Sequence, residues 1–512
     1  MNHLLIAPVV LPALVAPFII MVLRHHLDLQ RIFSVASTVL LAGIALTLAA
    51  HAADGTVYVY ELGNWPAPFG IVLVADRLSA MMLVLTSVLA LPVVLYAIGS
   101  GWDTRGSNFH ALFQFQLMGI MGAFLTGDAF NLFVFFEVLL IASYGLMIHS
   151  GGTRRFQAGV QYVVFNLLGS TLFLFALGTL YSVTGTLNMA DLAVKVAQLP
   201  AEDTALLRAG AVMLLLVFAI KAALLPLHFW LPSAYANAPM PVAALFAIMT
   251  KVGAYAILRM YTLVFGPEVA ATAGLTESWL LPAALLTLAA GAIGVLGSKK
   301  LGRLAAFGVV TSMGTLLIAI SLFTQTATAA ALYYLVHSTL AAALLFLVAD
   351  LVIERQGPWI LPQLPMPQTG LISALFFAAA IALAGMPPLS GFLGKLLVLD
   401  ATRGTGLAAW IWAVILSGSL ITIIGMARAG SLLFWKGHGL PLENLDTSEE
   451  PPLEQPPARP ASLPFAACFS LLAGLVGLTV FAGPATRYAE ATAAQLFAPA
   501  AYIETVLGKE AE

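Results

Sequence analysis

Five ionisable side chains stand in stretches that offer them almost no water: Glu137 in NLFVFFEVLLIASYGLMIH, Lys221 and Lys251 at either end of AALLPLHFWLPSAYANAPMPVAALFAIMT, His337 in ALYYLVHSTLAAALLFL, and Lys395 closing AGMPPLSGFLGK. Three of the eight lysines thus lie inside apolar runs. A charge at the centre of a bilayer costs about 2.5–3.5 kcal/mol or more, so five near mid-depth demand pairing, hydration or neutralisation. The chemistry that uses such groups is proton transfer. Burial favours a neutral amine and a nearby carboxylate favours the ammonium, so a lysine whose acidic partner moves or changes protonation can load and release a proton. Glu137 is the expected partner of Lys221.

Each residue also has a purely structural reading. Glu137 and Lys221 form a static ion pair between helices, Lys251 is structural, His337 is a hydrogen-bonded core histidine, and Lys395, near the end of its run, snorkels outward. His228 either bridges the relay to the cytoplasm or caps a loop. Arg259 and Arg428 are expected at headgroups or partners, and Asp350, Glu354 and Asp400 at the ends of spans.

The elements that must position these groups are interrupted helices. Pro226 has no N–H for the carbonyl of Ala222 and its ring crowds that carbonyl, so the helix that carries Lys221 must stop or bend there. Interrupted membrane helices mark ion and substrate sites because their freed backbone groups need water, ions or buried partners. Pro226-Leu227-x-x-Trp230-Leu231 is echoed by Pro388-Leu389-x-x-Phe392-Leu393, 162 residues later. The two copies fall five spans apart, which makes them cross in opposite directions, as in inverted-repeat transporters. Lys221 lies near the C-terminal, negative end of its half-helix. Lys395 lies early in the half-helix after Pro387 and Pro388, at its positive end, and is expected to give up its proton more readily.

The remainder of the chain fits a membrane protein with no cofactor and no metal. Its 512 residues are 61% hydrophobic and 9% charged, with mean hydropathy +0.97, against about 25% charged in soluble domains. One cysteine, Cys468, excludes disulfides within the chain and thiolate clusters. No P-loop or dinucleotide fingerprint occurs, and His25 and His26 lack helical ligand spacing. The net charge of −2 gives no sign of a nucleic-acid surface. The apolar N-terminus has no basic flank or cleavage site and reads as a retained first span.

A span needs roughly 20 apolar residues, and fourteen can be placed: 3–23, 32–52, 78–99, 109–126, 129–149, 156–183, 205–231, 240–266, 278–298, 302–323, 328–353, 369–400, 407–435 and 463–483. The fold class is all-α integral membrane with helices seven and twelve broken. Segments 53–77 and 184–204 read as external loops, and 443–460 as a polar, Pro-rich linker. Basic residues gather in loops after odd-numbered spans (Arg24, Arg105, Arg154, Arg155, Lys299, Lys300, Arg303), which puts those loops in the cytoplasm and both termini outside.

At these residues the chain resembles the antiporter-like membrane subunits shared by respiratory complex I and the Mrp (Mnh, Pha) cation/proton antiporters. TGDAFNLFVFFEVLLIASYGLMIH, LGRLAAFGVVTSMG and AGMPPLSGFLGK carry the resemblance, together with the stretch from Lys221 to Tyr261. ELGNWPAPFGIVLVADRLSAMM and VTGTLNMADLA are most similar to the D-type subunits of the Mrp antiporters.

The resemblance implies N-terminal helices one to three (1–108), two inverted five-helix repeats (109–266 and 278–435), and helix fourteen with a tail (463–512). It assigns the relay to Glu137, Lys221, Lys251, His337 and Lys395. It also implies a hetero-oligomer with subunits A, B, C, E, F and G in a bacterial inner membrane, moving protons against Na+ or K+ in pH homeostasis. The alternatives are a proton-pumping arm of a quinone- or hydrogenase-linked complex, or a scaffold with static ion pairs. Many relatives carry a lysine four residues after the span-eleven histidine, where this chain has Ala341. The relay from Lys251 to Lys395 is then expected to run through His337 and water, with Tyr333, Ser338 or Thr339 assisting.

Overall fold

A computed structural model describes residues 2–200, 204–276, 279–436 and 462–508; the expected linker at 443–460 lies outside the described residues. The first helices are α1 (Asn2–Met21), α2 (Leu27–Ala52), α3 (Arg77–Ser100), α4 (Phe109–Leu125), α5 (Ala129–Met147) and α6 (Thr153–Thr184). There follow α7 (Met189–Gln198), α8 (Ala205–Lys221), α9 (Trp230–Asn237), α10 (Met240–Phe246) and α11 (Met249–Leu263). The next group is α12 (Leu280–Gly297), α13 (Leu301–Ser321), α14 (Gln325–Gln356), α15 (Thr369–Ala384), α16 (Ser390–Ala401) and α17 (Ala408–Gly430). The chain closes with α18 (Ser462–Val480), α19 (Ala482–Leu496) and α20 (Ala500–Leu507). Among the described residues, 11 helical stretches are long and apolar enough to cross a membrane. This is an all-helical membrane protein.

Two segments that read as plain loops hold structure of their own. Residues 53–77 contain an antiparallel ribbon, β1 (Tyr58–Glu61) against β2 (Val72–Ala75), with Tyr58 opposite Ala75. Residues 184–204 contain α7, started by the Asn188 side chain, which accepts from the amides of Ala190 and Asp191. Short elements between spans are set by caps and tertiary contacts, which hydropathy does not register.

The bundle separates an enclosed centre from a lipid-facing shell. The α10–α11 stretch is 100% buried, and α13 and α14 nearly so, whereas α1, α2, α6 and α18 bury only 33–39% of their apolar stretches. A helix apolar on every side has to be encased or face lipid, and both solutions occur here. Small residues allow the closest approaches: a Cβ on Gly314 of α13 would fall 2.4 Å from the Leu288 nitrogen of α12.

Arg259, expected at headgroups, is instead buried on α11. Its guanidinium meets Asp76 through two contacts, Nη1–Oδ2 at 2.7 Å and Nη2–Oδ1 at 2.8 Å. Asp76 also caps α3, its Oδ1 accepting from the amide of Ser79 at 2.9 Å. The partners are 183 positions apart, a distance that no local reading spans. Asp350, expected to end a span, is also fully buried; its Oδ2 accepts from the Tyr96 hydroxyl and the Trp102 indole, each at 2.9 Å. The tail helices return to the ribbon end of the bundle, where the Gln495 side chain donates to the Gly55 carbonyl and Tyr488 to the Arg77 carbonyl.

Removing one member of a buried ion pair leaves the other uncompensated and costs about 3–5 kcal/mol. Arg259→Leu is therefore expected to lower the thermal stability of the detergent-solubilised protein, and the double change Arg259→Leu/Asp76→Asn to recover part of the loss.

Candidate functional site

The site is built on two places where helices stop. At the first, α8 ends at Lys221 and α9 resumes at Trp230. The chain between them leaves helical geometry at Ala223, whose φ is +54°. Neighbours take over the backbone groups: the Trp230 indole donates to the Ile220 carbonyl at 3.1 Å, and the Leu225 amide donates to Thr287 Oγ1 at 2.8 Å.

Lys221 is buried, and its ammonium does not form the expected ion pair with Glu137. It donates to Asn166 Oδ1 at 2.8 Å. Asn166 and Ser170 lie four residues apart on α6, on one face of the helix. The Ser170 hydroxyl donates to Glu137 Oε1 and contacts the Asn166 carbonyl at 3.1 Å. Two small polar side chains of α6, one turn apart, thus hold the two groups separately: Ser170 the glutamate and Asn166 the lysine. The reason is geometric: α6 packs against both α5 and α8 and stands between their polar groups. The Phe136 ring centroid lies 5.9 Å from the ammonium.

At the second place, α15 ends at Ala384 and α16 starts at Ser390. Pro388 cannot donate to the Ala384 carbonyl four residues earlier. Lys395 does so instead: its Nζ donates to Ala384 O and to Ser419 Oγ of α17, each at 2.8 Å. This corrects one expectation: Lys395 does not snorkel outward, being buried. Its ammonium reaches the carbonyl end of α15 because helical side chains lean towards the N-terminus and this one is long enough to cross the gap. Gly385 makes the crossing possible. It has φ +78°, and a Cβ there would lie 2.6 Å from Lys395 Cδ.

His337 of α14 holds the same gap from the other side. Its Nδ1 lies 2.9 Å from Ser390 Oγ. The histidine and Lys395 are thus brought to one turn of backbone. A Cβ on Gly391 would fall 2.8 Å from His337 Nε2, so glycine keeps the ring's place open.

Lys251 opens α11, is 0% exposed, and its Nζ has no hydrogen-bond partner in the protein. Buried polar groups are held by a partner or by water. No protein group ties this one down, which leaves it free to exchange partners. Among the secondary candidates, the Tyr333 hydroxyl donates to the Leu478 carbonyl of α18, and Ser338 and Thr339 both donate to Leu335 O in their own helix. His228, in the α8–α9 gap, lines a cleft of about 1310 Å³ at one end of the bundle. Sequence reasoning does not single out Asn166, Ser170, Ser390 or Ser419. The available signal is a polar i,i+4 pair inside an apolar span.

Glu137, the α6 pair, Lys221, Lys251, His337 and Lys395 occupy helices packed in succession: α5 on α6, α6 on α8, α8 on α11, α10 on α14, and α14 on α16. Residues 126–423, which hold the whole row, match the family described as NADH:quinone oxidoreductase/Mrp antiporter, TM. The chain belongs to this family.

Relatives of the NADH:quinone oxidoreductase/Mrp antiporter family align along its full length. The D subunit of a probable K+/H+ antiporter of Rhizobium meliloti is 41% identical over 99% of this chain and 98% of its own. The D subunit of a Na+/H+ antiporter of Alkalihalophilus pseudofirmus is 38% identical over 99% and 100%. Among solved structures, a chain of the Mrp complex from Dietzia sp. DQ12-45-1b superposes with TM-score 0.87 at 29% identity, covering 99% of this chain and 100% of that one.

Within this member of the antiporter family the Lys395 contacts depend on Gly385. Gly385→Ala places a methyl against the lysine stem and strains a left-handed backbone. Misplacing a reacting group by about 1 Å can cost on the order of a hundredfold in rate, so a loss of that order is expected in cation-driven proton flux. Gly404→Ala, where nothing lies within 4 Å of the added carbon, is the control and should match the wild type.

Proposed function

We propose that the chain is the proton-translocating subunit of a multi-subunit Na+ (or K+)/H+ antiporter of the Mrp type. It works beside subunits of the A, B, C, E, F and G types in a bacterial cell membrane. The observation that carries this reading is the row of ionisable groups inside the bundle, with Lys221, His337 and Lys395 buried beside interruptions of its helices, in a chain aligned end to end with antiporter D subunits.

In this reading a proton reaches Glu137 and passes by the Ser170 hydroxyl and water to Lys221, which Asn166 holds in place, and Lys251 receives it next. Lys251 has no fixed partner and can swing between water and its neighbours. His337 takes the proton by accepting at Nδ1 once Ser390 turns away, and Lys395 releases it. His228 faces the cleft from which the first gap would be filled. Chemical balance is simple: each step moves one proton between a lone pair on nitrogen or oxygen and its neighbour, and no bond to carbon changes. The antiporter couples that movement to cation efflux and so supports pH and salt homeostasis.

The corresponding architecture has fourteen spans. The seventh is α8 with α9, the eighth α10 with α11, and the twelfth α15 with α16; spans four to eight and nine to thirteen are inverted repeats. The end that carries Arg154, Lys299 and Arg303 faces the cytoplasm, with both termini outside. The similar proline interruptions in α8–α9 and α15–α16 support this arrangement.

The test uses everted vesicles holding the whole complex. Addition of Na+ or K+ to an established proton gradient should collapse it in wild-type vesicles, and Glu137→Gln should abolish the response while the subunits still co-purify. Proton movement that instead follows a quinone or another redox substrate, with no dependence on added cation, would assign the chain to a redox complex.

A further inference from the structure

The cleft beside His228 carries a charge imbalance that the proton row does not explain. Its walls hold Arg154, Arg155, Lys299, Lys300 and Arg303, and none of the five forms an ion pair among the described residues. The single carboxylate in the lining is Asp350. It is fully buried and already accepts from Tyr96 and Trp102.

Two helix starts add to the positive potential. The N-terminus of α6, with Gly152 as its cap and Arg154 and Arg155 in the first turn, has no acidic residue and no side-chain cap. The N-terminus of α13, with Lys300 as its cap and Arg303 in the first turn, has neither as well. Helix starts favour anions and disfavour cations. Cations gathered at two such ends, with no acid to offset them, describe a site prepared for negative charge.

The place of the cleft narrows the ligand class. It opens at the end of the bundle between α6 and α12, two helices with large lipid-facing surfaces, and its wall continues down to Phe229, 45% exposed, and Phe307. A basic rim above an apolar wall matches a phosphate headgroup with an acyl chain attached, and basic pockets between membrane helices take such headgroups. We infer that this cleft binds the phosphate of an anionic phospholipid, with its acyl chain laid against Phe229.

Three of the five cations hold no hydrogen bond in the fold. Arg154, Lys299 and Arg303 are exposed, and none of their side chains donates a hydrogen bond among the described residues; the Arg303 guanidinium lies 5.6 Å from the centre of the Phe307 ring. Arg155, by contrast, bonds the carbonyls of His149 and Asn237, and Lys300 lies 4.6 Å from the centre of the Trp359 ring. The whole complex, purified with wild-type chain or with Arg154→Gln/Lys299→Gln/Arg303→Gln, is titrated with phosphatidylglycerol or phosphatidylcholine, and bound lipid is counted by native mass spectrometry.

The wild type should hold phosphatidylglycerol selectively, and inorganic phosphate should not displace it. Each basic residue near a membrane surface is worth about a fivefold change in affinity, so the triple change should weaken binding on the order of a hundredfold. Should the triple variant fail to assemble, Arg303→Gln alone is expected to lose about fivefold. Equal retention of both lipids, an unchanged variant, displacement by free phosphate, or a photo-crosslinker at Thr153 that captures an acidic segment of another subunit would each overturn the inference.

Discussion

An α-helix in a membrane satisfies its own backbone and leaves no main-chain group for a buried amine to bond to. Only where the helix stops do carbonyls become available, and proline is the residue that stops it. Pro388 releases the Ala384 carbonyl, and Lys395 takes it. Pro226 ends α8, and Lys221 stands at that end with Asn166 as its acceptor. Lys395 can remain in the interior because the chain is interrupted beside it, whereas Lys221 relies on a side-chain acceptor of α6. Gly385 and Gly391, which admit the Lys395 stem and the His337 ring, answer to the same requirement.

The two interruptions are similar in design and different in how they hold their lysine. At the α15–α16 gap every partner is a neutral oxygen: the Ala384 carbonyl and Ser419 for Lys395, and Ser390 for His337. At the α8–α9 gap Lys221 bonds Asn166, and the Glu137 carboxylate is held by Ser170 one turn along the same helix. Lys251 stands apart from both, enclosed on all sides and bonded by no protein group. A proton passing along such a row meets a different electrostatic setting at each stop.

The parts of this arrangement that are legible in the sequence are those that offend hydropathy. A lysine or a glutamate in an apolar run, and a proline in the middle of a helix, stand out because each is expensive there. Asn166, Ser170, Ser390 and Ser419 do not stand out, since small polar residues bond their own helix or a neighbour at little cost. Without them, a direct Glu137–Lys221 contact is the natural expectation. Arg259 and Asp350 are misplaced for another reason. Position along a span suggests depth, but their partners, Asp76 and Tyr96, lie far away in the chain. The short α7 and the β1–β2 ribbon escape notice because caps and packing, which leave no periodic trace, define them.

The central claim is that the row works by changing charge and not by holding it. Arginine tests this at Lys221, since a guanidinium keeps its positive charge and its donors but does not deprotonate in proteins. The measurement is cation-driven proton flux in vesicles holding the whole complex, comparing wild type, Lys221→Gln and Lys221→Arg. If protons pass through the amine, the arginine variant assembles yet transports no better than the glutamine variant. Near wild-type flux from Lys221→Arg would show that a fixed charge is all the site needs, and would contradict the relay.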